Sequence, residues 1–288
     1  MNDGRIASYW DKEKGNSARC GLCPHRCLVK EKTYGICGAR VNSGGALYAA
    51  TYGLVSSVAL DPIEKKPLHM FKPGSHILSV GSFGCSFRCE FCQNYEISLE
   101  YGGIRDEARR MAPDDIVSIA RQTLARGNIG AAYTYNEPLI GYEFVYDCAA
   151  LVRESGLSNV LVTNGFINAE PLENLLPMID AMNIDLKGFS ESFYKRVGGD
   201  LETVKETIVK SAKSCHVEVT TLVIPGENEN DVGEIAKWLS GVSKDIPLHV
   251  TRFFPRYKYE SKTPTPRDTI QRLSDNARLY LRNVFSAY

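Results

Sequence analysis

The sequence predicts an α/β fold, a partial (β/α)6 TIM-type barrel behind an N-terminal cysteine-rich extension. Three observations carry that expectation. From residue 77 onward, apolar β-branched runs alternate with segments of helical length, the pattern of a parallel sheet covered by helices. Six such runs occur, too few for a closed eight-stranded barrel, and each ends in polar, charged or Gly/Pro residues. In barrels of parallel strands chemistry gathers at the carboxyl ends, so these residues would share one rim. The cysteines fall in two groups, at residues 20–37 and 85–92, with only Cys148 and Cys215 outside them. The expected division is a metal-binding, irregular β segment over residues 1–76 and the barrel with its C-terminal helix over residues 77–288.

Composition narrows the class. Of 288 residues, 34 are Lys or Arg and 34 are Asp or Glu. That balance leaves no electrostatic case for nucleic acid or an anionic membrane surface. A hydrophobic share of 43% suits a full core. Residues 1–6 lack the apolar stretch of a signal peptide, and no run approaches membrane-spanning length. Seven of the nine cysteines in two groups, without such a signal, argue for metal over disulfides, and for a reducing cytoplasm.

In chain order, the first group is Cys20-Gly-Leu-Cys23-Pro-His-Arg-Cys27, followed by Cys37. Four thiolates in a short glycine-rich segment can close around zinc or hold an iron–sulfur cluster, and His25 can stand in for one ligand. Residues 46–60 read as short strands broken at Gly53. Residues 61–68, with Glu64, Lys65 and Lys66 between prolines, read as a loop. Strands follow at Ile77–Ser82, Ala131–Tyr135, Val160–Asn164, Met182–Asp185, Val217–Ile224 and Leu248–Phe253. The helix after the first of them starts at Pro113, with Asp114 and Asp115 in its first turn, and stops near Gly127. Others fit Leu139–Glu154, Pro171–Met178, Leu201–Ser214, Asp231–Ser240 and Arg267–Phe285.

The chemistry concentrates after the first of these strands, in Cys85-Ser-Phe-Arg-Cys89-Glu-Phe-Cys92. Three thiolates in a CxxxCxxC spacing on one short loop can bind three irons of a four-iron cluster. No fourth cysteine follows, so one iron would stay open, as catalytic metal sites require. Gly84 would let the backbone turn close by. Other rim residues are Asn136 and Glu137, Asn164, and Asp185 with Lys187. The last two are two residues apart, so they point to one side of their strand.

This cysteine loop resembles the signature of the radical S-adenosylmethionine (SAM) enzymes. The resemblance implies a [4Fe-4S] cluster on Cys85, Cys89 and Cys92, with SAM chelating the open iron. One-electron cleavage of SAM would give a 5′-deoxyadenosyl radical that takes hydrogen from a substrate, the protein supplying position and shielding. Phe91 would turn its backbone to the adenine. Val162-Thr163-Asn164-Gly165, Asp185-Leu186-Lys187 and Val223-Ile224-Pro225-Gly226 resemble segments of the pyruvate formate-lyase activating enzyme group. That likeness implies SAM contacts by Asp185 and Lys187, and a monovalent cation near Thr163, Asn183 and Asp185. Tyr135-Asn136-Glu137 departs from that group's Gly-Gly-Glu, Val162 replaces its acidic residue, and Tyr257 its histidine. The widest resemblance is to the AmmeMemoRadiSam branch of radical SAM enzymes. It runs from Cys20-Gly-Leu-Cys23-Pro-His through Asp61-Pro-Ile-Glu-Lys-Lys-Pro-Leu68, Cys92-Gln-Asn94 and Thr134-Tyr-Asn-Glu-Pro138 to Leu248-His249.

Three functions compete. An activase would form a glycyl radical on a partner protein. A second kind of radical SAM enzyme would modify a small molecule or peptide, with a further metal (zinc or iron–sulfur) at Cys20, Cys23, Cys27 and Cys37. A non-catalytic iron–sulfur or zinc protein would bind no SAM. Either enzyme would draw electrons from a reductant such as flavodoxin or ferredoxin.

Overall fold

The computed structural model describes residues 4–100 and 102–287. Its frame is one open eight-stranded sheet: β1 (Ser57–Pro62), β2 (His76–Gly81), β3 (Asn128–Tyr133), β4 (Ser158–Thr163), β5 (Ala181–Asp185), β6 (His216–Val223), β7 (Leu248–Arg252) and β8 (Val284–Ala287). The strands lie side by side in chain order. From β2 to β8 all neighbours are parallel, and β1 alone runs antiparallel, against β2. The helices of seven residues or more are α1 (Pro113–Gln122), α2 (Tyr142–Glu154), α3 (Ala169–Leu175), α4 (Glu191–Val197), α5 (Leu201–Ser211), α6 (Asp231–Val242) and α7 (Arg267–Ala277). None is long and apolar enough to cross a membrane.

Helix boundaries follow local chemistry. Pro113 opens α1 where a missing N–H leaves nothing unpaired, and the Asp115 carboxylate accepts from Ala112 N at 2.8 Å. The turn after α1 closes at Gly127, with φ +82°. Asp200 caps α5 by accepting from Thr203 N at 2.8 Å.

Two elements depart from expectation. The helix expected over Arg267–Phe285 stops at Ala277, and Val284–Ala287 becomes a seventh parallel strand beside β7. Four residues are too few to show a two-residue period, and the partner strand decides their state. At the other edge, Ser57–Pro62 joins the main sheet, so the sheet begins ahead of residue 77.

The segment after β1 seals the barrel interior. Ile63 and Leu68 are fully buried in one cluster with Ile77, Ala132, Val160 and Ala181. Beside them Glu218 of β6 is buried too. Its carboxylate meets Nε2 of His249 at 2.6 Å and of His216 at 2.9 Å, and accepts from the N–H of His69 (3.0 Å) and Met70 (2.7 Å). The N-terminal extension forms a small sheet of Trp10–Glu13, Ser17–Cys20 and Leu28–Val29, then a hairpin of Arg40–Ser43 with Ala46–Ala49. A buried ion pair, Arg40 Nη1 to Glu143 Oε1 at 2.8 Å, fastens it to α2.

Burial alone would raise the Glu218 carboxyl, but the two histidines and two backbone donors hold it at about 2. A folded value below the ordinary 4.5 means that its contribution is complete above that pH and is lost as pH falls toward 2. Glu218→Gln should therefore cost about 1.5–3 kcal/mol at neutral pH. Thermal melts of both proteins from pH 7 to pH 3 should converge on acidification.

Candidate active site

A cleft of about 520 Å³ opens over the carboxyl ends of the strands. That volume lies within the range of ligand pockets, about 300–1,000 Å³. Cys85, Cys89 and Cys92 line it together with Glu137, Asn164, Asp185 and Lys187, so the structure brings the sequence-predicted rim residues to one place. The loop bearing the three thiols turns at Gly84, with φ +88°, where an added Cβ would collide with the carbonyl oxygen of Cys37. Only glycine fits there.

Two strand ends hold that loop. After β3, Asn136 accepts from Ser82 N (2.9 Å) and donates to Gly84 O (3.1 Å). Asn136 thus spends its amide on the cysteine loop. Glu137 is buried and turned into the protein. Its Oε1 accepts from Thr163 Oγ1 (2.6 Å) and Leu139 N (2.9 Å), and its Oε2 from Asn164 N (2.7 Å). Burial pushes its carboxyl up to about 7 against these three donors. Asn164 in turn donates from Nδ2 to Ser86 Oγ at 3.0 Å and lies 3.7 Å from Cys85 Sγ. Asn136, Glu137 and Asn164, expected at the cofactor, line the cleft and in this geometry also bond the cysteine loop or its supports.

Asp185 and Lys187 face the cleft as a pair at 2.7 Å. Burial would lower the Lys187 ammonium, but Asp185 and the Cys89 and Cys92 thiols hold it above its ordinary value. Burial pushes the Cys89 thiol up to about 12 and raises Cys85 and Cys92, while the charge of Lys187 pulls Cys89 and Cys92 back. Such thiols give up their protons to a metal. The donor set therefore fits a cluster on Cys85, Cys89 and Cys92, with a charged pair beside it. Among the described residues, no three His, Cys, Asp or Glu side chains stand together as a site for a single ion. A four-iron cluster, which binds each thiolate through a different iron, does not ask for that. The Phe91 ring packs toward Phe193 and Tyr259, with centroids 6.1 and 5.9 Å away, and the residue still lines the cleft. Thr163, Asn183 and Asp185 are each bonded to a different partner: Glu137, Pro67 and Lys187.

Residues 61–68, read from the sequence as a loop leading toward the cysteine loop, bring Lys65, Lys66 and Pro67 to the cleft wall. Lys66 is 3% exposed, pairs with Asp61 at 2.9 Å and lies 4.5 Å from the Tyr135 ring, and Asp61 accepts from Tyr135 Oη at 2.6 Å. The signal was Lys66 beside Pro67, just before a cysteine loop. In the first cysteine group Cys20, Cys23 and Cys37 are buried and Cys27 half-buried. The His25 ring turns toward the barrel. Its Nε2 bonds Ser86 O at 2.9 Å, and its ring meets Phe166 edge-on.

The sequence profile of the radical SAM superfamily matches residues 79–239. An uncharacterised protein of Methanocaldococcus jannaschii is 43% identical over 273 residues, spanning 93% of this chain and 80% of that one. The pyruvate formate-lyase-activating enzyme of Clostridium pasteurianum is 24% identical over 178 residues, 58% of this chain and 72% of that one. The structure of Streptococcus suis SuiB bound to S-adenosylmethionine superposes with a TM-score of 0.54, at 14% identity, over 71% of this chain and 48% of SuiB. This last is a likeness of fold.

Asn164→Ala would leave the Phe166 N–H without its Asn164 acceptor and free Ser86 beside Cys85. Urea unfolding of the metal-free chain should show a loss of about 1–3 kcal/mol. Alkylation of Cys85, followed by mass spectrometry, should speed up.

Proposed function

Because the chain belongs to the radical SAM superfamily, we propose that its cleft holds a [4Fe-4S] cluster on Cys85, Cys89 and Cys92 with S-adenosylmethionine beside it. The observation that carries this reading is the meeting, in one cleft, of a CxxxCxxC loop and the Asp185–Lys187 pair. When bound, these groups supply reductive cleavage of the sulfonium to a 5′-deoxyadenosyl radical, which removes hydrogen from a substrate.

The residues of the chain supply the surroundings. The three cysteines lose their protons on loading, and Lys187 makes the thiolates of Cys89 and Cys92 less costly. Asp185 and Lys187, paired with each other, can turn to an ammonium and a carboxylate. Asn136, Glu137 and Asn164 fix the loop, and Phe91 presents its backbone. The antiparallel edge, with Lys66 and Tyr135, walls the cleft on another side.

For the substrate, we favour a glycine Cα of a partner protein. Two activating enzymes stand among the relatives, the one above and a 4-hydroxyphenylacetate decarboxylase activating enzyme of Clostridioides difficile. An open sheet leaves the cleft accessible to a protein loop. A small molecule or peptide is the second reading, favoured by the charged, buried Asp61–Lys66 wall. We also read Cys20, Cys23, Cys27 and Cys37 as a second metal site. A low-potential donor such as flavodoxin or ferredoxin would feed the enzyme.

The wild-type protein, reconstituted anaerobically and given dithionite and SAM, should release 5′-deoxyadenosine, and Cys89→Ala should lower the yield by orders of magnitude. Equal yields would refute the reading. A glycyl radical EPR signal on an added partner marks an activase, and transfer of deuterium from a labelled small molecule into deoxyadenosine marks the second reading.

A further inference from the structure

The charges that line the cleft do not balance. Among the described residues its carboxylates are Glu137 and Asp185, and its cations are Lys65, Lys66, Lys187 and Arg252. Glu137 has both oxygens engaged by Thr163, Leu139 and Asn164. Asp185 is paired with Lys187. Lys65 and Lys66 share Asp61, at 3.5 and 2.9 Å. That leaves Arg252, whose side-chain hydrogen bond among the described residues goes to a neutral carbonyl.

The fold holds this arginine in place. Arg252 ends β7, and its Nε donates to Thr265 O at 2.6 Å. Thr265 is fully buried, its hydroxyl donating to Val223 O at 2.6 Å and accepting from Phe253 N at 3.1 Å. The guanidinium carbon lies 4.9 Å from the centre of the Phe254 ring, and Phe254 also lines the cleft. A guanidinium fixed through Nε and against a ring keeps its two Nη groups as a fork, which matches the two oxygens of a carboxylate. On the same wall Thr220 and Thr251 donate their hydroxyls to Asn183 and Thr221, and Leu222 is apolar. Arg252 is therefore the group of that wall equipped to meet a charge.

We propose that Arg252 receives a carboxylate of the substrate, so that the cleft takes a small carboxylic acid or the C-terminal carboxylate of a peptide. Lys65 and Lys66 add positive potential, which a walled cleft focuses on an entering anion. Phe254 and Leu222 offer the body of such an acid an apolar surface. The inference deepens the second reading above, a small molecule or peptide, and rests on it.

Titration calorimetry on the anaerobically reconstituted protein, loaded with SAM and without dithionite, should show binding of acetate and of N-acetylglycine. Equal affinities point to a free acid, and tighter N-acetylglycine to a peptide end. Arg252→Gln should weaken both by about tenfold or more. Arg252→Lys, which keeps the charge and loses the fork, should fall between. Arg282→Gln, which removes an exposed cation paired with Asp245, should leave both affinities unchanged. No binding by the wild-type protein, or equal weakening by Arg282→Gln and Arg252→Gln, would overturn the inference. So would an equal loss of SAM affinity in Arg252→Gln, because the arginine would then serve the carboxylate of the cofactor. The reading beneath it fails differently: deuterium from labelled small molecules or peptides would not reach deoxyadenosine, whichever acids bind.

Discussion

The site hangs on a single buried carboxyl, that of Glu137. A carboxyl removed from water persists only where donors saturate it. Here the donors are Thr163 and Asn164 at the end of β4 and Leu139 just past β3. Saturating Glu137 therefore fixes two neighbouring strand ends against each other. From that anchored backbone the Asn164 side chain reaches across to Ser86. Asn136, one residue earlier, ties the same strand end to Ser82 and Gly84. The cysteine loop is thus placed by bonds that start from a desolvated acid, with its proton held to about neutral pH by burial.

The loop is gripped from the opposite side as well. A glycine at position 84 brings the Cys37 backbone to within a distance that no side chain would allow. His25 and Arg88 close the same contact through carbonyls of Ser86, Ile36 and Cys85. The extension is therefore part of the site's frame. Its own anchor is the Arg40–Glu143 pair, buried between the hairpin and α2. Losing one partner of such a pair leaves an uncompensated charge inside, so the extension and the barrel are coupled in stability.

Much of this was legible in the sequence. The CxxxCxxC loop, the strand–helix alternation and the polar strand ends each rest on local signals, spacing and period, which survive without coordinates. The bonds that Asn136, Glu137 and Asn164 make within the protein were not legible. Their residue types announce hydrogen bonding, but which partner each one takes depends on how strand ends far apart in sequence meet. His25 shows the same limit: placed among cysteines it reads as a ligand, and it faces Ser86 because the barrel lies there. The strand at Val284–Ala287 and the burial of Lys66 were hidden for a further reason. A four-residue strand and a buried lysine between prolines are decided wholly by the neighbours they pack against.

Tyr135 carries the last constraint. Its φ of +72° is an unfavourable conformation for an aromatic residue, worth about 1–3 kcal/mol of strain. The surroundings enforce it: Asn94 donates to its carbonyl at 2.7 Å, and an added Cβ on Gly81 would stand 2.9 Å from its ring. A phenol at the wall of a cleft proposed to generate a carbon radical is itself a ready hydrogen donor. Here its O–H is directed at Asp61, 2.6 Å away, and Lys66 in turn holds that carboxylate ionised. The buried ion pair thus turns the phenolic hydrogen toward the protein. Under the proposed chemistry, the strain at Tyr135 keeps an aromatic wall against the reacting space while its most abstractable hydrogen stays engaged elsewhere.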